Sequence, residues 1–129
     1  MHIKGLDHVV LRVADTARSA QFYRQLLGCH EERRVEEIGL VQLRAGDSLI
    51  DLLPVDATPA APTRVAGNLD HFCLLIDPFD LGLIRQRCAQ LGIACEEPKR
   101  RYGATGYGPS IYLHDPDGNK LELKGAMTL

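Results

Sequence analysis

Four residues of this 129-residue chain have the types and the spacing to hold a metal ion or to move a proton. His8 and His71 each stand third in a Leu-Asp-His triplet that opens an apolar run, LDHVVLRV from Leu6 and LDHFCLLI from Leu69. Asp51 and Glu122 each interrupt a later apolar stretch, SLIDLLPV and NKLELKG. Taken singly, a histidine in an apolar strand is most often a packing or surface residue. A single carboxylate there usually lies on the wet face of a half-exposed strand. The same pair at matching points of two similar halves points to a shared site. Two imidazoles with one or two carboxylates suit Zn, Ni, Mn or Fe(II), with positions left open for water or substrate. If a pseudo-twofold relation links the halves, all four side chains converge. Glu122 or Asp51 would then move a proton, and Tyr112, on a neighbouring strand, would donate a hydrogen bond to a substrate oxygen.

Side-chain alternation agrees with this assignment. Glu122 faces away from Leu121 and Leu123, and Asp51 away from Ile50 and Leu52. The remaining histidines have no matched partner. His2 is close to the N-terminus, His30 lies in a charged edge and His114 shares a strand face with Tyr112, so all three read as surface or turn residues.

The elements that must position these groups follow from periodicity. Residues 3–13 predict a strand. Asp15 and Thr16 are N-cap candidates for a helix over 16–27, whose stripe is Ala20, Tyr23, Leu26 and Leu27 with Phe22 alongside, and Gly28 is its stop. Short strands follow at 31–35, at 40–43 and, after the turn Arg44–Asp47, at 48–53. Segment 57–67, within a proline-containing stretch, reads as a linker. The second half repeats the order. A strand over 71–76 precedes a helix with Asp77 as N-cap, the stripe Leu81, Ile84, Cys88 and Leu91, and Gly92 as its stop. A short strand at 93–95, a glycine-rich mobile segment at 102–109, a strand at 110–114, the Asp115–Gly118 turn and a strand over 119–124 complete it. The fold class is therefore α+β. One domain over 1–129 is built from two β-α-β-β-β modules, about 1–56 and 68–129, forming a curved mixed sheet with helices outside.

The totals exclude several classes. With 45% hydrophobic and 25% charged residues, this is an ordinary globular composition. The formal charge of −2 leaves no basic field for nucleic acid. Arg33-Arg34 and Lys99-Arg100-Arg101 read as solvated loop charges. Cys29, Cys73, Cys88 and Cys95 form no CxxC pair or disulfide framework, and Cys73 and Cys88 read as buried free thiols. No signal-peptide core and no membrane-spanning apolar stretch is present, so a cytoplasmic protein is expected.

The segments LDHVVLRVADTARSAQFYRQLLG, LDHFCLLI and IYLHDPDGNKLELKG resemble the vicinal oxygen chelate superfamily over nearly the whole chain. That family includes glyoxalase I, extradiol dioxygenases, fosfomycin-resistance transferases, methylmalonyl-CoA epimerases and bleomycin-resistance proteins. The resemblance implies His8, His71 and Glu122 as metal ligands and Asp51 at the fourth place. Asp51 is one methylene shorter than the carboxylate of glyoxalase I-like members, which leaves it a ligand or a base. The activity most in keeping is a glyoxalase I-like lyase or isomerase acting on a small vicinal-oxygen substrate through an enediolate. The alternatives are an extradiol-type dioxygenase, a fosfomycin-type thiol transferase and a non-catalytic ligand-binding protein of the bleomycin-resistance kind. Ser110 and Tyr112 suit the transferase; Val10, where those enzymes usually carry Thr, does not. A homodimer is implied as well.

Overall fold

A computed structural model describes residues 1–56 and 69–126. The expected linker, 57–67, lies outside the described residues. The chain divides into two compact units, Met1–Arg64 and Val65–Leu129. In the first, β1 (His8–Val13), α1 (Thr16–Leu27), β2 (His30–Val35), a 3-10 turn (Glu36–Ile38), β3 (Leu40–Ala45) and β4 (Ser48–Pro54) follow one another. In the second come β5 (Phe72–Ile76), α2 (Leu81–Leu91), β6 (Lys99–Gly103), β7 (Gly106–His114) and β8 (Lys120–Gly125). The α+β reading holds. Among the described residues the strands bond as two four-stranded mixed sheets, ordered β1-β4-β3-β2 and β5-β8-β7-β6. Among the described residues no helix is long and apolar enough to cross a membrane.

In each unit the first strand runs parallel to the last, and every other pairing is antiparallel. The last strand is therefore flanked on both sides. Its alternate residues bury fully, Ile50 and Leu52 in β4 and Leu121 and Leu123 in β8, all at 1% exposure or less. Burial of these chains pins the register, because a one-residue slip would turn each of them to the opposite face. Helix α1 packs on β3 and β4 and buries Ala20, Phe22, Tyr23 and Leu26. It starts at Asp15, whose carboxylate accepts from the Arg18 N–H at 3.0 Å, and stops at left-handed Gly28.

Four local expectations need correction. The first strand begins at His8 because its parallel partner begins at Ser48, which leaves residues 3–5 without a ladder. Helix α2 is capped by Asp80 and not by Asp77. The Asp80 side chain accepts from the Leu83 N–H at 3.0 Å, and its carbonyl accepts the N–H of Ile84, the first buried residue of the stripe. Residues 93–95 form no strand, since the Ile93 N–H is used to close the helix on the Cys88 carbonyl beyond left-handed Gly92. Residues 102–109, expected to be irregular, belong mostly to the β6–β7 hairpin.

Glycine explains that last difference. Gly106 takes a positive φ of 86° where the hairpin turns back. At Gly108 a Cβ would fall 2.3 Å from the Gly125 carbonyl oxygen and 2.7 Å from that of Ala126. The glycines thus permit close backbone approach within a strand, where composition alone suggested a loop. Gly108→Ala is expected to cost about 2 kcal/mol or more, as overpacking against backbone does. Equilibrium urea denaturation of the variant measures this loss.

Candidate metal centre

The parallel ladders set each histidine against its carboxylate in the same way. In the first unit Val10, two residues after His8, is the partner of Asp51. In the second, Cys73, two residues after His71, is the partner of Glu122. The sequence distances from histidine to carboxylate differ, yet the registers are identical. On the next strand the carboxylates face Gln42 and Tyr112 respectively. Two equivalent rows result, Val10–Asp51–Gln42 and Cys73–Glu122–Tyr112.

Asp51 is buried, at 4% exposure. Gln42 Nε2 donates to its Oδ2 at 3.0 Å, and Arg33 Nη1 in turn donates to Gln42 Oε1 at 3.0 Å. Oδ1 is buried with no hydrogen-bond partner among the described residues. An ionised carboxylate oxygen out of water and without a donor is costly unless a cation or a proton meets it. His8 is in its field: the hydrogen bond its ring donates to Asp7 raises the imidazole pKa most, burial opposes it, and Asp51 adds to the rise.

Glu122 is also buried, at 7% exposure, and charged groups of both signs lie near its row, Arg101 3.7 Å from Glu96 and Lys120 3.7 Å from Asp70. Tyr112 in its row has the Arg101 guanidinium and the Lys120 ammonium each 4.1 Å from the ring centre, and the His71 ring lies edge-on at 5.2 Å. Arg101 donates to the carbonyl and hydroxyl oxygens of buried Ser110, at 3.1 and 3.0 Å. Lys124, two residues past Glu122 and 3% exposed, donates to Thr105 Oγ1 and the Gly125 carbonyl. Cys73 is an exposed residue and not the buried thiol expected. Its sulfur nevertheless titrates high, pushed up to about 12 by desolvation first and by the neighbouring Glu122 carboxylate second.

Both histidines are braced by the residue before them. His8 Nδ1 lies 2.7 Å from Asp7 Oδ1, and His71 Nδ1 lies 2.6 Å from Asp70 Oδ2. His2, His30 and His114 are exposed, as expected. Among the described residues no group of three or more His, Cys, Asp or Glu side chains is gathered around one point. Within each unit the imidazole and the carboxylate are donor types that suit a divalent ion, and Asp51 Oδ1 has no hydrogen-bond partner among the described residues.

Sequence reasoning passed over Gln42, Cys73, Arg101 and Lys120. Hairpin arithmetic would have found the first: a turn at Gly46-Asp47 sets residue 42 opposite 51. Alternation from Glu122 marks Lys120 and Lys124. Arg33 and Arg101, read as solvated charges, occupy β2 and β6, and their guanidinium groups reach Gln42 and Tyr112 on other strands.

This fold and these paired rows define a member of a known class. The chain belongs to the Glyoxalase/Bleomycin resistance protein/Dioxygenase superfamily, whose model matches residues 5–123. Among its relatives is a virulence protein of Salmonella typhimurium, 30% identical over 95% of this chain and 85% of that protein. Glutathione transferase FosA of Serratia marcescens is 29% identical over 94% and 80% respectively. A protein from the mobile metagenome of V. Pseudocholerae superposes with a TM-score of 0.81 at 31% identity, covering 99% of this chain and 98% of that one.

The Cys73 environment is directly testable. With its pKa near 12, only about one thiol in ten thousand is ionised at pH 8, and alkylation follows the thiolate. Glu122→Gln removes the adjacent charge, which lowers that pKa and enlarges the thiolate fraction. Peptide-mapped iodoacetamide labelling at pH 8 is expected to run several-fold faster at Cys73 in this variant than in the parent chain.

Proposed function

We propose that this chain is a divalent-metal-dependent enzyme of the superfamily, a lyase or isomerase of the glyoxalase I kind, acting on a small substrate with two adjacent oxygens. The observation that carries this reading is the common register, with a carboxylate opposite the residue two after the histidine in both units. His8, His71 and Glu122 would hold the ion, with Asp51 at the fourth place, drawn from one chain or from the two chains of a homodimer. When bound, Zn, Ni, Mn or Fe(II) supplies Lewis acidity to the substrate oxygens.

The chain's own contribution is proton movement. Gln42 fixes one oxygen of Asp51 and leaves the other as an acceptor of defined direction, which is what a general base needs. The Tyr112 hydroxyl would donate to a substrate oxygen. Arg101 and Lys120 beside the ring favour a substrate that is anionic or becomes so as the proton leaves. The same basic surroundings favour a second reading, a thiol transferase like the relative from Serratia marcescens. Against it, the Ser110 hydroxyl is fully buried and engaged by Arg101.

Elemental analysis of the purified chain is expected to find a stoichiometric divalent ion that is lost in His8→Ala/His71→Ala. Full retention in the double variant would overturn the assignment. Asp51→Asn is expected to slow deuterium incorporation into small 2-hydroxycarbonyl compounds by about 10²–10⁴-fold, the range for loss of a general base. Oxygen uptake with catechols in place of that exchange would identify a dioxygenase.

A further inference from the structure

The sequence Asp-His occurs at the entrance to the first strand of both units, and in both the two side chains meet. Neighbours within a regular strand point to opposite faces and do not touch. Contact arises here because each aspartate precedes its strand: β1 begins at His8, and β5 begins one residue after His71. The Asp7 backbone is held in place, since its carbonyl accepts the Leu49 N–H at 3.1 Å. Asp70 is held through its side chain, with Lys120 Nζ 3.7 Å from Oδ2. Lys120 also lies over the Tyr112 ring, against whose edge His71 rests.

Stability does not account for the repetition, because exposed ion pairs between neighbouring residues contribute little. The chemistry of the imidazole does. An ionised carboxylate only accepts hydrogen bonds, so at 2.6–2.7 Å the facing Nδ1 must carry the proton. In the neutral ring the lone pair is then confined to Nε2. We infer that Asp7 and Asp70 are positioning residues, each accepting the Nδ1 proton of the histidine that follows it and thereby presenting Nε2, unprotonated and fixed in direction, to an electrophile. That the electrophile is a divalent ion rests on the reading proposed above. A carboxylate on the far nitrogen also raises the donor strength of the ligating one.

The test has one arm without metal and one with it. Long-range proton–nitrogen correlation spectra of the metal-free, histidine-labelled chain report the tautomer of each ring. His8 and His71 are expected to be Nδ1–H forms in the parent chain. Asp7→Ala should release the first ring, and Asp70→Ala the second, to a mixture dominated by Nε2–H, as in free imidazole side chains. Asn at either position keeps an acceptor oxygen and should restore most of the Nδ1–H form. In the second arm, competition of Zn²⁺ with a chromophoric chelator is expected to show each Ala variant binding about 10–100-fold more weakly. Rings that are Nε2–H in the parent chain, or Zn²⁺ affinities unchanged within twofold in both Ala variants, would overturn the inference. Tautomers that follow the aspartates in a chain that takes up no divalent ion would instead overturn the metal reading, and with it the role given to the lone pairs.

Discussion

The parallel pairing of first strand to last is the constraint on which the rest of each unit depends. It places the carboxylate strand between two partners and puts the histidine on the same face, two residues removed along the neighbouring strand. Nothing polar is needed to hold that register. Leu11, Val13, Ile50 and Leu52 in one unit, and Leu121 and Leu123 in the other, bury on the opposite face, and any slip would expose them. Hydrophobic burial on one side of a sheet therefore maintains a distance between reactive groups on the other. Helix α1 contributes indirectly, by packing on β3 and β4 and covering the apolar face that sets the alignment there.

On that common frame the two carboxylates experience different fields. Asp51 has a neutral amide and an aliphatic side chain in its row, with a guanidinium one strand further on. Glu122 has a thiol and a phenol in its row, and Arg101 and Lys120 about the phenol ring. The first arrangement leaves a single carboxylate oxygen unsatisfied and directed. The second sets two cations, paired with Glu96 and Asp70, around the phenol ring. On the function proposed above, one unit would offer an acceptor for a proton and the other an environment for an anion.

Much of this was legible in the residues, and the reasons are specific. The doubled Leu-Asp-His triplet, the Leu-Gly helix ends and the Asp115–Gly118 turn are local signals, and the fold they imply is the one found. The β6–β7 hairpin was not legible, because the close approach of Gly108 to Gly125 and Ala126 is a contact between strands, invisible to composition. The cap of α2 was ambiguous for a similar reason. Asp77 and Asp80 are both capping residues, and the choice between them depends on where the buried stripe begins. Arg101 looked like a solvated charge because its neighbours Lys99 and Arg100 are charged; pairing with β7 brings its guanidinium onto Tyr112. The electrostatics of the site were hidden wherever they depended on strand partners distant in sequence.

The equivalence of Val10 with Cys73, and of Gln42 with Tyr112, has a wider meaning. These four positions are the ladder partners of the carboxylate residues and are not among the fully buried apolar side chains, so a change at them exposes none of that face. A repeated frame with exchangeable neighbours separates the inheritance of a fold from the inheritance of a reaction. One half can retain its chemistry while the other drifts toward a new substrate. Lineages that share this architecture can therefore diverge in what they catalyse through substitutions at a few sheet positions, long before their cores lose resemblance.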